Sequence, residues 1–274
     1  LFGETDWGRF FIWCFFLYSM FRMLSSFFEK NITIFLFLIL CVGFPGSKFF
    51  FLDFKYYLWL LHVGYAETFS YGCIILATVL LSRFIEIKNL SHGFFANMLY
   101  ALAIMVRPNV IIAAGLPLLF SMYLLLKNKE YRTFLIISLG FTPFFLLPIH
   151  NIIYGKSLTL ITESVGINSD LGITPYFKML LFDSEAIAKI SHQLALWSKG
   201  FIRPFFLLSA LYLSFFLNKK SLKFKFWGLM LIGLHIPLLI FHPDNRYSSL
   251  AWCFTILLTL AAGLHKFEAK KYIH

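Results

Sequence analysis

Nine apolar stretches, each about long enough to cross the hydrocarbon core of a bilayer, divide this chain of 274 residues. A transmembrane helix needs about 20 apolar residues, and fewer where flanking side chains reach the interface. The predicted spans are 9–26, 32–45, 66–82, 93–106, 109–126, 133–153, 201–217, 226–242 and 248–265. Because backbone polar groups in lipid must be satisfied within a span, we predict an all-α, polytopic transmembrane helix bundle of about nine spans.

The composition excludes the ordinary soluble classes. Hydrophobic residues make up 59% of the chain and charged residues only 14%, which is too little polar surface for a soluble domain of this length. The net charge of +11 does not indicate nucleic-acid binding, because the basic residues lie mostly in short loops between apolar runs. All four cysteines fall inside apolar runs, so we predict small buried side chains rather than disulfides or metal ligands. They are Cys14, Cys41, Cys73 and Cys253.

The distribution of basic residues orients the predicted bundle. If the chain start is outside, the inside segments carry thirteen basic residues and the short outside segments carry five. The inside set is Lys30, Arg83, Lys88, Lys127, Lys129, Arg132, Lys219, Lys220, Lys223, Lys225, Lys266, Lys270 and Lys271. The outside set is Arg9, Lys48, Lys55, Arg107 and Arg246. An excess of this kind is typical of cytoplasmic loops.

Two segments outside the spans have a character of their own. Residues 49–63 are aromatic and interrupted by charges, and tyrosine and tryptophan favour the headgroup level, so we predict an interfacial or re-entrant piece. Within a single transmembrane domain covering 1–274, residues 153–200 form the predicted extracytoplasmic loop. In that loop Thr174-Pro175 is a helix-start pattern.

The same loop contains an apolar stripe at helical spacing. The stripe consists of Ile187, Ile190, Leu194 and Trp197, with polar residues mostly between them. This pattern predicts an amphipathic helix. Two placements are open: the helix lies on the outer leaflet, or it caps the bundle.

Arg107-Pro108-Asn109 stands where one predicted outside-facing span ends and the next begins. An arginine near hydrocarbon is costly unless it reaches the interface or binds an anion. Pro108 breaks the helix and frees backbone groups, and the guanidinium fork matches phosphate oxygens. The sequence therefore allows a phosphate site here, or simply an interfacial arginine at a helix end.

Two further polar clusters lie on the predicted outer face. Glu67 falls in the first turn of a span, where the helix dipole favours a carboxylate; alternatively it faces a sugar or a phosphate-bound ion. The segment from His242 to Tyr247 contains Asp244 and Arg246. Pro243-Asp244-Asn245 is good turn chemistry, but a turn does not explain Arg246, which is a candidate second cation for a phosphate.

Three short motifs in this order carry a family resemblance. They are Ala101-Leu-Ala-Ile-Met-Val-Arg107-Pro108-Asn109, then Asn151-Ile-Ile-Tyr154-Gly155-Lys-Ser157, then His242-Pro-Asp-Asn-Arg246-Tyr247. Together they resemble the GT-C membrane glycosyltransferases, which use polyprenyl-phosphate sugars, as in the protein O-mannosyltransferases and the bacterial lipid A and arabinan transferases. The resemblance covers most of the chain from about residue 60.

The resemblance implies a hexosyl- or pentosyltransferase of the cell envelope, located in the bacterial inner (plasma) membrane. It implies a lipid-linked sugar donor and membrane lipids as partners, no nucleic acid, and no certain cofactor, with a divalent cation left open. It implies substrate-binding roles for Glu67, Arg107, Asn109, His242, Asp244, Arg246 and Tyr247. No cluster of ligands predicts a metal site.

In the GT-C family the catalytic carboxylate lies in the first outside loop, between the first two spans. Here the first apolar run begins near Arg9 and the chain starts with Leu1 rather than methionine. We therefore expect an N-terminal truncation with the catalytic carboxylate upstream of Leu1. Glu4 and Asp6 are weaker candidates, as the tail of that loop.

Two other function classes stay open at this point. The first is a polytopic lipid or polysaccharide transporter or flippase, and the second is a membrane scaffold without chemistry. Ion-coupled transporters usually place ionisable groups at mid-membrane, whereas most of those in this chain lie at one rim. That difference favours the transferase.

Overall fold

The structure, a computed structural model, describes residues 6–43, 52–64, 66–155, 184–198, 202–218, 221–240 and 245–271. Over these residues it is helical and contains no strand, which confirms the all-α prediction. The helices are α1 (Asp6–Phe27), α2 (Lys30–Val42), α3 (Phe54–His62), α4 (Glu67–Ile87), α5 (Leu90–Val106), α6 (Ile111–Lys127), α7 (Tyr131–Ser138), α8 (Leu146–Gly155), α9 (Ser184–Ser198), α10 (Ile202–Tyr212), α11 (Leu222–Ile240) and α12 (Asn245–Lys271).

The described residues of each predicted span are helical, although two spans are not single regular helices. In the span predicted at 201–217, a π-helix (Leu213–Leu217) follows α10. In the stretch predicted at 133–153, a 3₁₀ segment (Leu139–Phe145) separates α7 from α8. Pro143 lies inside that segment, where it lacks the N–H that a regular helix needs. Within the described residues, α1 and α4 are the two helices long and apolar enough to cross a membrane.

Helix α4 is the central helix of the bundle. It packs against α1, α3, α5, α6 and α11. Of an 18-residue apolar stretch in each helix, 78% is buried in α4, compared with 28% in α1. Its buried polar side chains bond within the bundle: the hydroxyls of Thr78 and Tyr100 lie 2.9 Å apart, and Ser70 donates to the carbonyl of Ala103 at 3.1 Å. These bonds satisfy groups that would be costly if left unpaired in an apolar interior.

Glycine lets two helices of this bundle approach closely. A Cβ placed on Gly233 of α11 would lie 2.4 Å from Cα of Ala113 in α6. By contrast, a Cβ on Gly115 of α6 would meet nothing within 4 Å. Small residues at such contacts allow backbone-to-backbone packing, which is how membrane helices gain van der Waals contact.

The segments predicted to lie inside meet at one end of the bundle, here called the inner end. Nζ of Lys88, after α4, lies 2.8 Å from Oε1 of Glu130, before α7. Nδ1 of His265 in α12 lies 3.0 Å from Oδ1 of Asn218, after α10. These contacts bring the described parts of the loops to one end of the bundle, while the side of the membrane on which they lie stays a prediction. The opposite end, which carries Glu67, is called the outer end.

Lys223 connects α11 to α1 at the inner end of the bundle. Its ammonium donates to the carbonyl of Ser26, in the last turn of α1, where helix carbonyls lack partners and a cation is favoured. Burial lowers the pKa of Lys223 below its ordinary value of 10.5; the Glu86 carboxylate opposes this shift and Arg83 adds to it.

Helices α3 and α9 agree with their predictions in part. Helix α3 has nine residues, about 13 Å at 1.5 Å each, which is too short to cross a bilayer. Helix α9 is confirmed as a helix that packs on α11 with Ile190 buried, while Ile187 and Leu194 stay exposed. Thr174-Pro175 and the side chain of Trp197 lie outside the described residues.

The prediction of four buried cysteines holds for only part of the set. Cys73 and Cys253 are buried and Cys41 is half-buried, whereas Cys14 is exposed, and all four are free thiols. The prediction for Cys14 is wrong because an apolar run does not show which face of a helix meets its neighbours. Helix α1 leaves one apolar face uncovered, and Cys14 lies on it.

Candidate functional site

The candidate site lies where the first turn of α4 meets the last turn of α5 at the outer end. The two helices are joined by a tight turn in which Lys88 adopts a left-handed conformation, with φ of 54°. Because α4 and α5 pack side by side, the residue that opens α4 and the residue that follows α5 become neighbours. These residues are Glu67 and Arg107.

Glu67 and Arg107 form an ion pair between Oε1 and Nη2. The side chain of Glu67 is 1% exposed and that of Arg107 is 25% exposed. A buried carboxylate is costly without a counter-charge, and the guanidinium supplies one. Because each is costly near lipid, Glu67, Arg107 and Arg246 are expected to approach one another around one outward-opening cavity. The structure brings Glu67 and Arg107 together, whereas the Arg246 side chain lies outside the described residues, so the rest stays a prediction.

The helix break beside Arg107 has a simple origin in the sequence. Arg107 has an extended backbone, with φ of −143° and ψ of 91°, because a residue before proline is disfavoured in the helical region. A single 3₁₀ turn, Pro108–Val110, then leads into α6. The break changes the direction of the chain and places Arg107 and Asn109 at the outer end of the α4–α5 pair.

Two buried acceptor atoms at this end have no hydrogen-bond donor among the residues that the structure describes. They are Oε2 of Glu67 and Oδ1 of Asn109. Neither atom can donate, since an ionised carboxylate and an amide oxygen are acceptors only. Because a buried polar atom normally has a partner, these two atoms call for hydroxyl or N–H groups from elsewhere.

Helix α3 connects this pair to the start of α12. The hydroxyl of Thr68, beside Glu67, donates to the carbonyl of Tyr57 at 2.9 Å. The Tyr57 side chain in turn hydrogen-bonds Ser249, which lies one turn after Arg246 in α12. Burial raises the pKa of the Tyr57 hydroxyl well above its ordinary value of 10, so this link stays a neutral hydrogen bond.

The backbone therefore brings the start of α12 to the end of the bundle that carries Glu67. The side chains of Arg246 and Tyr247, and all of His242 and Asp244, lie outside the described residues. The role predicted for this cluster stays a prediction. Thr68 and Tyr57 were not among the predicted site residues, although Thr68 and Ser70 directly follow Glu67 as small polar residues inside an apolar run.

Asp6 lies at the same end but has a different partner. It opens α1, is fully exposed, and forms an ion pair with Arg9 of its own helix, Oδ1 to Nη1, at 3.9 Å. Glu4 lies outside the described residues. The part of the chain that the structure describes contains no group of three or more His, Cys, Asp or Glu side chains placed to hold a metal.

The described residues form an all-helical fold with a largely buried ion pair at one end, and two of their helices are long and apolar enough to span a membrane. Comparison with protein families, with characterised proteins and with solved structures finds nothing that matches this chain. The resemblance to the GT-C glycosyltransferases therefore rests on the three sequence motifs and stays a prediction.

Proposed function

We propose that this chain is a multi-pass integral membrane protein with about nine spans, in a bacterial inner membrane. The surface of its helices supports this proposal, because large apolar side chains are exposed on most of them, and extended exposed apolar surface is unusual on soluble monomers. Examples are Phe11, Phe35, Leu38, Val42, Leu119, Tyr123, Leu135, Phe145, Ile153, Leu208 and Phe216. Lipid is the solvent in which such a surface is stable.

We further propose that the protein is a glycosyltransferase. It would move a hexosyl or pentosyl group from a polyprenyl-phosphate donor to an acceptor on the extracytoplasmic face. One observation carries this: a partly exposed guanidinium stands at the same end as two buried acceptor atoms that have no donor in the described part of the chain. A lipid-linked sugar phosphate presents an anion for the guanidinium and hydroxyls for the acceptors.

The proposed reaction follows from these parts. An acceptor hydroxyl oxygen attacks the anomeric carbon, the bond from that carbon to the phosphate oxygen breaks, and the phosphate leaves with the bonding electrons. A carboxylate, which the resemblance places in the first outside loop, takes the hydroxyl proton. Arg107, with Arg246, offsets the charge developing on the phosphate. The Glu67 carboxylate pairs with the Arg107 guanidinium and accepts a hydrogen bond from a sugar hydroxyl.

A substitution that preserves the local charge balance tests this function. Arg107→Gln alone would leave a buried carboxylate unpaired, so the informative variant is Glu67→Gln with Arg107→Gln. In membranes containing the full-length protein, transfer of radiolabelled sugar should fall on the order of a hundred- to thousandfold in this double variant, as for loss of one transition-state donor. Arg132→Gln, an exposed arginine at the inner end, is the matched control and should transfer normally.

Two results would contradict the proposal. Near-wild-type transfer by the double variant, at equal protein levels, would show that Arg107 has no role in the reaction. A wild-type protein that consumes none of a panel of polyprenyl-phosphate sugars, yet moves one of them between leaflets, would identify the transporter instead.

A further inference from the structure

A cavity of about 230 Å³ opens between the first turns of α1 and the second half of α3 at the outer end. Its polar lining consists of Asp6, Arg9 and His62. Its apolar wall consists of Phe10, Trp13, Leu58 and Leu61. The cavity thus has a charged side and a hydrocarbon side, which is the division found in a lipid molecule.

The charged side carries two opposite charges next to each other. The Asp6 carboxylate is fully exposed, the Arg9 guanidinium is 34% exposed, and 3.9 Å separates their nearest atoms. This distance is beyond hydrogen-bond range, and exposed pairs of this kind bind each other weakly. Both groups are therefore able to bind a ligand. A single anion is attracted by Arg9 and repelled by Asp6, whereas a zwitterion with neighbouring charges satisfies both.

The residues around the cavity indicate its depth in the membrane. Trp7 on α1 and Trp59 on α3 are 71% and 52% exposed, and exposed tryptophan is typical of the headgroup region. Phe10 and Leu58, which line the wall, are about half exposed as well. With α1 as a membrane span that begins on the outer side, the mouth of the cavity lies among the headgroups of the outer leaflet.

The geometry points to a binding site for the headgroup of a zwitterionic phospholipid that carries a primary amine. Its phosphate lies on the Arg9 guanidinium, whose fork matches phosphate oxygens. Its ammonium lies on the Asp6 carboxylate, and the first part of its acyl region lies against Phe10 and Leu58. This inference rests on the proposed membrane arrangement and is independent of sugar transfer.

Occupancy of this site has a consequence for the neighbouring helices. The lipid bridges α1 and α3, and α3 carries Tyr57, which connects Thr68 in α4 to Ser249 in α12. A bound lipid thereby holds the short helix α3 in the position that frames the Glu67–Arg107 pair.

Native mass spectrometry of the purified protein, with defined mixtures of phosphatidylethanolamine and phosphatidylglycerol in the micelles, tests the inference. The wild type should retain phosphatidylethanolamine in preference to phosphatidylglycerol. Arg9→Gln should weaken retention of both lipids, roughly two- to fivefold for one exposed ionic contact. Asp6→Asn should weaken retention of phosphatidylethanolamine and strengthen that of phosphatidylglycerol. Leu58→Trp, which fills the cavity without changing its charge, should weaken both.

The control is a pair of the same chemistry away from the cavity. Glu185→Gln and Lys189→Gln alter the α9 ion pair, whose nearest atoms are 3.3 Å apart, and should leave the lipid preference unchanged. Equal retention of the two lipids by the wild type would overturn the proposal. So would Asp6 and Arg9 variants that behave like the α9 variants. Free phosphoethanolamine that competes as well as the lipid would show that the ligand is a soluble zwitterion.

Discussion

Removing either partner of the Glu67–Arg107 pair should destabilise the protein, and by different amounts. Arg107→Gln leaves a carboxylate that is 1% exposed without its counter-charge, and an uncompensated buried charge costs about 3–5 kcal/mol. Glu67→Gln leaves a guanidinium that is 25% exposed and still hydrated in part. Its expected cost is about 1.5–3 kcal/mol, the range for a lost hydrogen bond to a charged group.

The double variant should recover most of this loss. With Glu67→Gln and Arg107→Gln together, two neutral amides replace the charges, and such replacements of a buried pair are often close to neutral. The coupling energy between the two sites should therefore reach at least about 3 kcal/mol, within the range measured for close charge pairs. The assay is unfolding in mixed micelles followed by tryptophan fluorescence.

The chain provides its own control for this cycle. Lys88 and Glu130 form an ion pair of similar chemistry at the inner end, but their side chains are 46% and 29% exposed. Their coupling energy should stay below about 1 kcal/mol. Additive effects at Glu67 and Arg107, or a smaller loss for Arg107→Gln than for Glu67→Gln, would refute the reasoning from burial.

Three other outcomes are expected. In a background without the four native cysteines, an impermeant thiol reagent should label Asn128→Cys and Ser169→Cys from opposite sides of the membrane; labelling of both from one side would show that the topology is wrong. Gly233→Ala should lower thermal stability through overpacking of about 1–3 kcal/mol, while Gly115→Ala, which meets open space, should not; equal effects would contradict the close helix contact. Tyr57→Phe should lower stability by about 1 kcal/mol through the lost Ser249 bond, and an unchanged unfolding midpoint would show that this bond does not stabilise the fold.

The sequence predicts a bundle of helices and the grouping of its loops at two ends, because both depend on patterns that recur along the whole chain. Apolar runs indicate where helices form, and the excess of basic residues in alternate loops indicates which loops share an end; the number of spans stays a prediction. The limits of α4 were less predictable. The apolar run ends at 82, but the helix continues through Arg83 and Glu86 to Ile87, because charged residues at an interface prolong a helix as well as apolar ones do.

The candidate site was likewise predictable only in part. The approach of Glu67 and Arg107 was predictable, since each is costly alone near lipid and both lie at one rim. The bonds from Thr68 to Tyr57 and from Ser70 to Ala103 were not. Every residue has a backbone carbonyl, so the residue type of the acceptor gives no signal in the sequence. Which carbonyl the hydroxyl reaches depends on the rotation of one helix against another.

The buried polar groups of α4 also bear on how the chain is made. Glu67 and Ser70 find their partners in α5 and the residue after it, at Arg107 and Ala103, whereas the Thr78 hydroxyl also donates to the carbonyl of Ile74 within α4. During synthesis α4 leaves the ribosome before α5, so α4 alone would carry the Glu67 carboxylate and the Ser70 hydroxyl into hydrocarbon without the partners that the bundle gives them. We therefore expect the insertion machinery to retain α4 until α5 follows. The two helices then enter the bilayer together as a hairpin whose polar groups are already satisfied.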